Sequence, residues 1–372
     1  MIELKRILFR VDASNVLGAG HIVRCLTLAI ALRSKGHIVE FACRKQPGDL
    51  IRRVERNHFK VHRMGVGEPR QQINHNECRQ SFGQVGTPDT YALQQETDSL
   101  DVLEIIKQLH PDWLIVDNYQ LGFEWESALR EYVARIMVID DLDSRSHNCD
   151  LFLDQNFRLG NQACIQKRLP EKCRVMLGPS YALLQSEYPE LRKHIRRRNG
   201  PIRNIFVSFG GSDIDNLSSL VVDSFHSLEL KDIALDVAVG PNYLYKESIT
   251  KKKYPNTISV HHGKQSLANF IAHADIGIGT AGTTVWERCC LGLPSLVISI
   301  ADNQHSTARD LDRSGFIKWI GTAQTLDPDS LAEHIRAFVL DGFNIEMSAK
   351  CHELVDGHGA SRVCTAIEDI VD

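Results

Sequence analysis

Little in this chain suits a membrane span, a metal centre or a nucleic-acid complex. Its longest apolar run, LGLPSLVISIA, covers 11 residues and holds Gly292 and Pro294, whereas a spanning helix needs about 20 apolar residues. The opening, MIELKRILFRVD, has no apolar h-region and no cleavage site, so no secretory leader is expected. Its 10 cysteines contain no C-x-x-C pair, and the adjacent Cys289 and Cys290 are poorly placed to staple a fold. Thiols buried as small hydrophobes, in a cytoplasmic protein, are the expectation. The 16 histidines include no H-E-x-x-H and no Cys/His zinc spacing. His58 and His62 straddle an alternating, strand-like run and would not share a helical face. Charge of one sign is scarce as well: a net charge of −4 gives no general attraction to nucleic acid or acidic membranes.

What is present is the balance of an ordinary globular protein, 43% hydrophobic and 24% charged. At 372 residues the chain is long enough for more than one domain with its own core. Short apolar runs alternate with helical stretches, the pattern of a parallel sheet covered by helices. RILFRVD (Arg6 to Asp12) reads as the first strand, His21 to Lys35 as a helix closed by Gly36, and HIVEFACR as the next strand. Residues 65 to 88 are polar and aperiodic, a long loop of the kind that serves as a lid, a binding loop or an insertion. A helix from about Tyr91 to Leu109, the strand DWLIVDNY, a helix through Trp125 and the strand RIMVIDDLD follow. LRKHIRRRNGPIRN, residues 191 to 204, breaks the alternation. Its basic run reads as a solvated helix end entering a Gly-Pro linker rather than as a nucleic-acid patch. The alternation restarts at RNIFVSFGG. The expected architecture is α/β: two Rossmann-like domains, over 1–190 and 200–372, facing a cleft at the carboxyl ends of their strands.

Three glycine turns follow strands: Gly18-x-Gly20, Gly210-Gly211 and Gly277-x-Gly279-x-x-Gly282. Glycine lets backbone N–H groups approach an anion closely, and the positive end of the following helix adds to the attraction. Two such turns in the second half point to a phosphate-bearing ligand; tight packing is the alternative for any one of them. GIGTAG also fits the dinucleotide fingerprint, with Asp302 lying 20 residues beyond Gly282. That fingerprint normally opens its domain, whereas this one falls several elements in and precedes a short helix. No nicotinamide or flavin cofactor is therefore expected. The D-x-D at Asp141 and Asp143 could hold a divalent metal, but aspartates at strand ends are also common turn formers. His21 directly follows Gly20 at the first turn of its helix, where the dipole disfavours the imidazolium form. A neutral imidazole beside an anion site is a ready general base. A packing or capping histidine is the plainer alternative.

FRVDASNVLGAGHIVRCLTLA resembles the opening of the UDP-sugar hydrolases of pseudaminic acid biosynthesis. Their R-x-D…G-x-G-H-x-x-R block falls here on Arg10, Asp12, Gly18, Gly20, His21 and Arg24. The resemblance continues through VDNYQL, IDDLDSRSHNCDLFLDQN, GPSYALLQSEY, VSFGGSD and GTAGTTVWERCCLGLPSLVISIADNQ, nearly the whole chain in order. The second half also resembles the nucleotide-binding domain of the peptidoglycan N-acetylglucosaminyltransferase, which has the glycosyltransferase-B architecture. The resemblance implies hydrolysis of UDP-2,4-diacetamido-2,4,6-trideoxy-β-L-altropyranose to UDP and the free sugar. It implies a small-molecule substrate, with no cofactor, metal, nucleic acid or stable membrane association. It makes His21 the catalytic base, sets Tyr119 and Asn303 near the sugar, and matches Glu287 to the carboxylate that holds the ribose hydroxyls. Further substrate contacts are expected from Arg10, Asp12, Gly20, Arg24, Asp117, Gly210, Gly211, Gly282, Thr283 and Gln304. One position departs: where the family has a histidine in D-H-Y-G, this chain reads Asp117-Asn118-Tyr119-Gln120.

Elementary chemistry agrees with that reading. UDP is already a good leaving group, so no strong acid is needed. Backbone N–H groups at Gly210-Gly211 and from Gly279 to Thr283 can neutralise its charge, which makes a metal dispensable. His21 can take the proton of a water attacking the anomeric carbon, and a single displacement by that water inverts the configuration. A glycosyltransferase of the same fold with a sugar or lipid acceptor is one alternative. A nucleotide-sugar-binding protein without turnover is the other, although binding alone does not need a base.

Overall fold

The computed structural model describes residues 3–370 apart from 16, 66–87, 143, 161, 197, 229, 231, 246–248, 250–257 and 342–344. It divides into two units, Met1–Leu183 with Gly359–Asp372, and Leu184–His358. The long loop expected over 65 to 88 therefore lies, beyond Gly65 and Pro88, outside the described residues. No helix of the described residues is long and apolar enough to cross a membrane.

The first unit is built on β1 (Arg6–Val11), β2 (Ile38–Arg44), β3 (Lys60–Met64), β4 (Trp113–Asp117), β5 (Arg135–Ile139), β6 (Leu151–Asp154) and β7 (Arg174–Leu177). They form one sheet in the order β3-β2-β1-β4-β5-β6-β7, every pair parallel. The alternation along β1 explains why both faces are covered. Ile7, Phe9 and Val11 enter one core with the helix Gly20–Ser34, while Leu8 enters another with Leu114, Val116 and Trp125. The second unit repeats the plan with β8 (Asn204–Ser208), β9 (Ala234–Val239), β10 (Ile258–His262), β11 (Ile276–Gly279), β12 (Ser295–Ser299) and β13 (Lys318–Thr322). Their order is β10-β9-β8-β11-β12-β13, again parallel. In each sheet the order reverses at one switch point, β1/β4 and β8/β11, which is where open α/β sheets bind ligands. The two Rossmann-like domains expected from the sequence are thus present.

The boundary expected at the end of the chain is corrected. The helix Gly359–Asp369 belongs to the first unit, not to a domain running from 200 to 372. Its apolar face, Val363, Cys364, Ala366 and Ile367, is buried in the core with Ile7 and Leu28. Glu368 pairs with Lys35 and His37, and Arg362 donates to the Ser180 carbonyl. The first helix ends as the sequence indicates: Gly36 takes φ +99°, and its N–H bonds the Arg33 carbonyl.

A buried ionic cluster fastens the end of β5. His147 donates from Nδ1 to Glu126 (2.7 Å) and from Nε2 to Asp140 (2.9 Å), all three buried, and Arg145 adds a second cation on Asp140. Burial alone would lower the His147 pKa, but its bonds to the Asp140 and Glu126 carboxylates raise it to about 9. A raised histidine stabilises fully below its unfolded pKa of about 6.5, and that gain fades as pH climbs through about 9. His147→Gln should therefore lose about 3 kcal/mol near pH 6, with the gap to the natural protein closing above pH 9. Urea melts across that range check this; a gap independent of pH would contradict it.

Candidate functional site

The site of the first unit lies at its switch point. Parallel pairing sets Val11 opposite Asp117, so residues leaving β1 and β4 meet at one rim. The loop after β1 turns back at Gly18, which adopts φ +75° and donates its N–H to the Ser14 carbonyl (2.9 Å). The helix then begins at Gly20, with no capping side chain and no acidic residue in its first turn. His21 thus stands at a helix N-terminus whose positive end has not been neutralised locally.

His21 is 7% exposed, and its Nδ1 lies 2.5 Å from Asp117 Oδ1. Arg24, one turn on, grips the same carboxylate with Nε and Nη2, both at 2.6 Å, and the Cys25 thiol donates to it at 3.4 Å. Burial would raise the Asp117 pKa, but the Arg24 charge, with His21, holds it well below the usual carboxylate range. An ionised carboxylate only accepts hydrogen bonds, so Nδ1 of His21 carries a proton, and in the neutral imidazole the lone pair is then on Nε2. That Nε2 makes no hydrogen bond among the described residues. Tyr119 packs edge-on against the imidazole, ring centroids 4.5 Å apart, and its hydroxyl donates to Asp141. Asp141 also accepts from Arg24 Nη1 (3.0 Å), so this half of the D-x-D is engaged in the network; Asp143 lies outside the described residues.

Beneath this layer sits Arg10, 1% exposed, which bonds Asp98 through Nε (3.0 Å) and Nη2 (2.6 Å) and Asp12 through Nη2 (2.7 Å). Asp12 also accepts from the Arg44 amide and, at 3.1 Å, from the Asn118 side chain. The departure at Asn118 has a structural reason: its amide supplies Asp12 with a donor, as an imidazole N–H could, and ties the ends of β1 and β4. Both Arg10 and Asp12 are buried supports behind the rim.

The second unit presents its glycine turns at β8 and β11. Gly210 adopts φ +88°, and a Cβ on Gly240 would fall 2.0 Å from the Gly211 carbonyl oxygen, so the two backbones touch. The helix Leu217–Ser227 is already occupied at its N-terminus: Asp213 accepts from the Leu217 and Ser218 amides, each at 2.9 Å. The N-terminus of that helix is therefore capped by the chain itself. The other turn differs. The helix Thr283–Cys290 starts after Gly282 with no capping side chain and no acid in its first turn. Gln304, at the start of the helix Asp302–Arg313, brings Nε2 to 3.5 Å from where a Cβ of Gly282 would be. Asn303 and Thr283 are half-buried alongside these elements. Glu287 lies beside the Tyr188 phenol, whose pKa is raised by burial and by that carboxylate.

Sequence reasoning missed Arg288, which is fully buried and donates to the Thr280 carbonyl (2.7 Å) and the Thr284 hydroxyl (3.3 Å). The glycines of GIGTAG were its signal: a Cβ on Gly277 would meet Arg288 Cδ at 2.9 Å, and one on Gly279 would meet Nη1 at 2.6 Å. Those two glycines make room for a side chain, a different use from approach to a dinucleotide.

Two parallel-sheet units with these strand orders have the glycosyltransferase-B fold, and the solved structures agree. MurG of Acinetobacter baumannii shares the fold with a TM-score of 0.62 at 16% identity, covering 98% of this chain and 100% of that one. Residues 204–360 match the glycosyltransferase family 28 C-terminal domain. The chain is 26% identical to the UDP-2,4-diacetamido-2,4,6-trideoxy-beta-L-altropyranose hydrolase of Campylobacter jejuni, over 84% of this chain and 97% of that protein. It is also 26% identical to an uncharacterised protein of Methanocaldococcus jannaschii over 77% of its length, and spans about half (54%) of that longer relative. The resemblance noted in the sequence is borne out.

The Asp117 pairing makes a stability prediction. Asp117→Asn leaves the Arg24 cation buried with less compensation and should destabilise by about 3–5 kcal/mol. Adding Arg24→Met to it removes the stranded charge and should recover more than half of that loss. Urea melts of the two variants check this, and a double variant no more stable than the single would contradict it.

Proposed function

We propose that the protein hydrolyses a UDP-linked 2,4-diacetamido-2,4,6-trideoxy sugar at its anomeric carbon, releasing UDP and the free sugar. The observation that carries this reading is the His21–Asp117 pair: an imidazole with one nitrogen fixed on an ionised carboxylate and the other left basic. The substrate class, with its UDP, comes from the similarity to the Campylobacter jejuni hydrolase.

In this reading His21 Nε2 accepts a proton from water as the oxygen attacks the anomeric carbon. The imidazolium so formed is stabilised by Asp117, which Arg24 keeps ionised and correctly turned. Electrons of the breaking C–O bond leave with UDP. Backbone N–H groups at Gly210-Gly211 and at the uncapped start of Thr283–Cys290 receive the charge that develops there. The resemblance assigns Tyr119, which packs against the imidazole, and Asn303 to the sugar. Glu287 is the carboxylate for the ribose hydroxyls. Arg10, Asp12 and Asn118 act behind these groups by fixing the strand ends.

The family 28 domain equally fits a glycosyltransferase, in which His21 would deprotonate an acceptor hydroxyl. Release of UDP from the UDP-sugar without added acceptor distinguishes the two; UDP formed only when an acceptor is supplied would make the transferase reading correct. Within the hydrolase reading, His21→Asn should lower turnover roughly a hundred- to ten-thousand-fold, the usual worth of a general base. UDP affinity, measured by calorimetry, should stay within about twofold because the nucleotide contacts lie in the other unit. Near-normal turnover would remove His21 from the mechanism.

A further inference from the structure

Among the described residues four arginines are buried, and three of them are compensated. Arg10 bonds Asp12 and Asp98, Arg24 bonds Asp117 and Asp141, and Arg198 donates to the carbonyls of Ile271, Ala274, Leu291 and Gly292. Arg288 is the exception. It is 0% exposed; like Arg198 it has no carboxylate oxygen within 4 Å among the described residues, but unlike Arg198 it leaves its Nε without a hydrogen-bond partner there. Its two bonds go to the Thr280 carbonyl and the Thr284 hydroxyl, the two ends of the turn that opens the helix Thr283–Cys290. Burial pushes its pKa down, yet a guanidinium keeps its proton at any physiological pH. Glu287 on the same helix offsets that burial only in part, and a buried cation with no carboxylate bonded to it is costly to fold around. Here the chain also gives up side chains at Gly277 and Gly279 to admit it.

We propose that Arg288 is the counter-charge of the nucleotide site: a positioning residue whose buried cation, seated beneath the Thr280–Thr284 turn, attracts the diphosphate of a bound nucleotide. The proposal rests on the nucleotide-sugar reading of the second unit. Two effects act together. The cation adds its field to the uncapped helix N-terminus, in surroundings too apolar for water to screen it. Because Thr284 Oγ1 accepts from Arg288, its own hydrogen is left to donate elsewhere, and an anion above the turn is a suitable acceptor. The missing partner of Arg288 is thus supplied by the ligand.

Affinity graded by ligand charge tests this. Calorimetric titration of uridine, UMP and UDP into Arg288→Met should show UDP weakened about ten- to a hundredfold and uridine by less than about threefold. Arg288→Lys, which keeps the charge, should bind UDP within about fivefold of the natural protein. Without ligand, Arg288→Met should melt no lower than the natural protein, since an uncompensated charge has been removed. Equal weakening of uridine and UDP, undiminished UDP binding, a lysine variant as weak as the methionine one, or a methionine variant that fails to fold would each overturn the proposal. Absence of UDP binding by the natural protein would instead overturn the nucleotide reading on which it rests.

Discussion

Everything at the rim of the first sheet depends on one ionised carboxylate. Asp117 leaves β4 fully buried and would be neutral in an apolar setting. Arg24 prevents that by a two-pronged grip at 2.6 Å, and the carboxylate in turn fixes the His21 imidazole by its Nδ1. Remove the charge and three things fail together: the tautomer of His21, the compensation of Arg24, and the link to Asp141 and Tyr119. The glycine turn before the helix serves the same end, because it starts the helix early enough to bring His21 and Arg24, one turn apart, onto that carboxylate.

The two units treat buried charge differently, and the difference fits the roles proposed for them. In the first, cations and carboxylates are matched inside the protein: Arg10 with Asp12 and Asp98, Arg24 with Asp117 and Asp141, His147 with Asp140 and Glu126. A matched network is rigid, which suits the fixed orientation His21 would need in the proposed reaction. In the second, positive potential is left unmatched at the start of Thr283–Cys290 and at Arg288. Unmatched potential suits a unit that receives an anionic ligand.

Much of this was legible in the residues. Strand, glycine turn and helix recur at His21 and again at Thr283, and the structure has both at switch points of parallel sheets. The grouping of His21, Arg24 and Asp117 was carried by the resemblance; spacing alone links His21 to Arg24 but says nothing of a strand ninety-odd residues on. Other features were hidden for physical reasons. The apolar face of Gly359–Asp369 announces burial but not the partner, so the helix was assigned to the wrong unit. Arg10 reads like a ligand contact, yet alternation along β1 sends it inward with Leu8. Arg288 in TTVWERCCLG looks like a solvated helix residue until the room that Gly277 and Gly279 leave for it is seen. Asp213 gave no sign that it would cap its own helix.

In the proposed reaction His21 directs water to carbon, not to phosphorus. Turnover of the UDP-sugar in heavy-oxygen water, followed by mass spectrometry of both products, tests it directly. The account predicts the label on the anomeric oxygen of the free sugar and none in UDP. Label in the nucleotide product, or formation of UMP with a sugar phosphate, would contradict it.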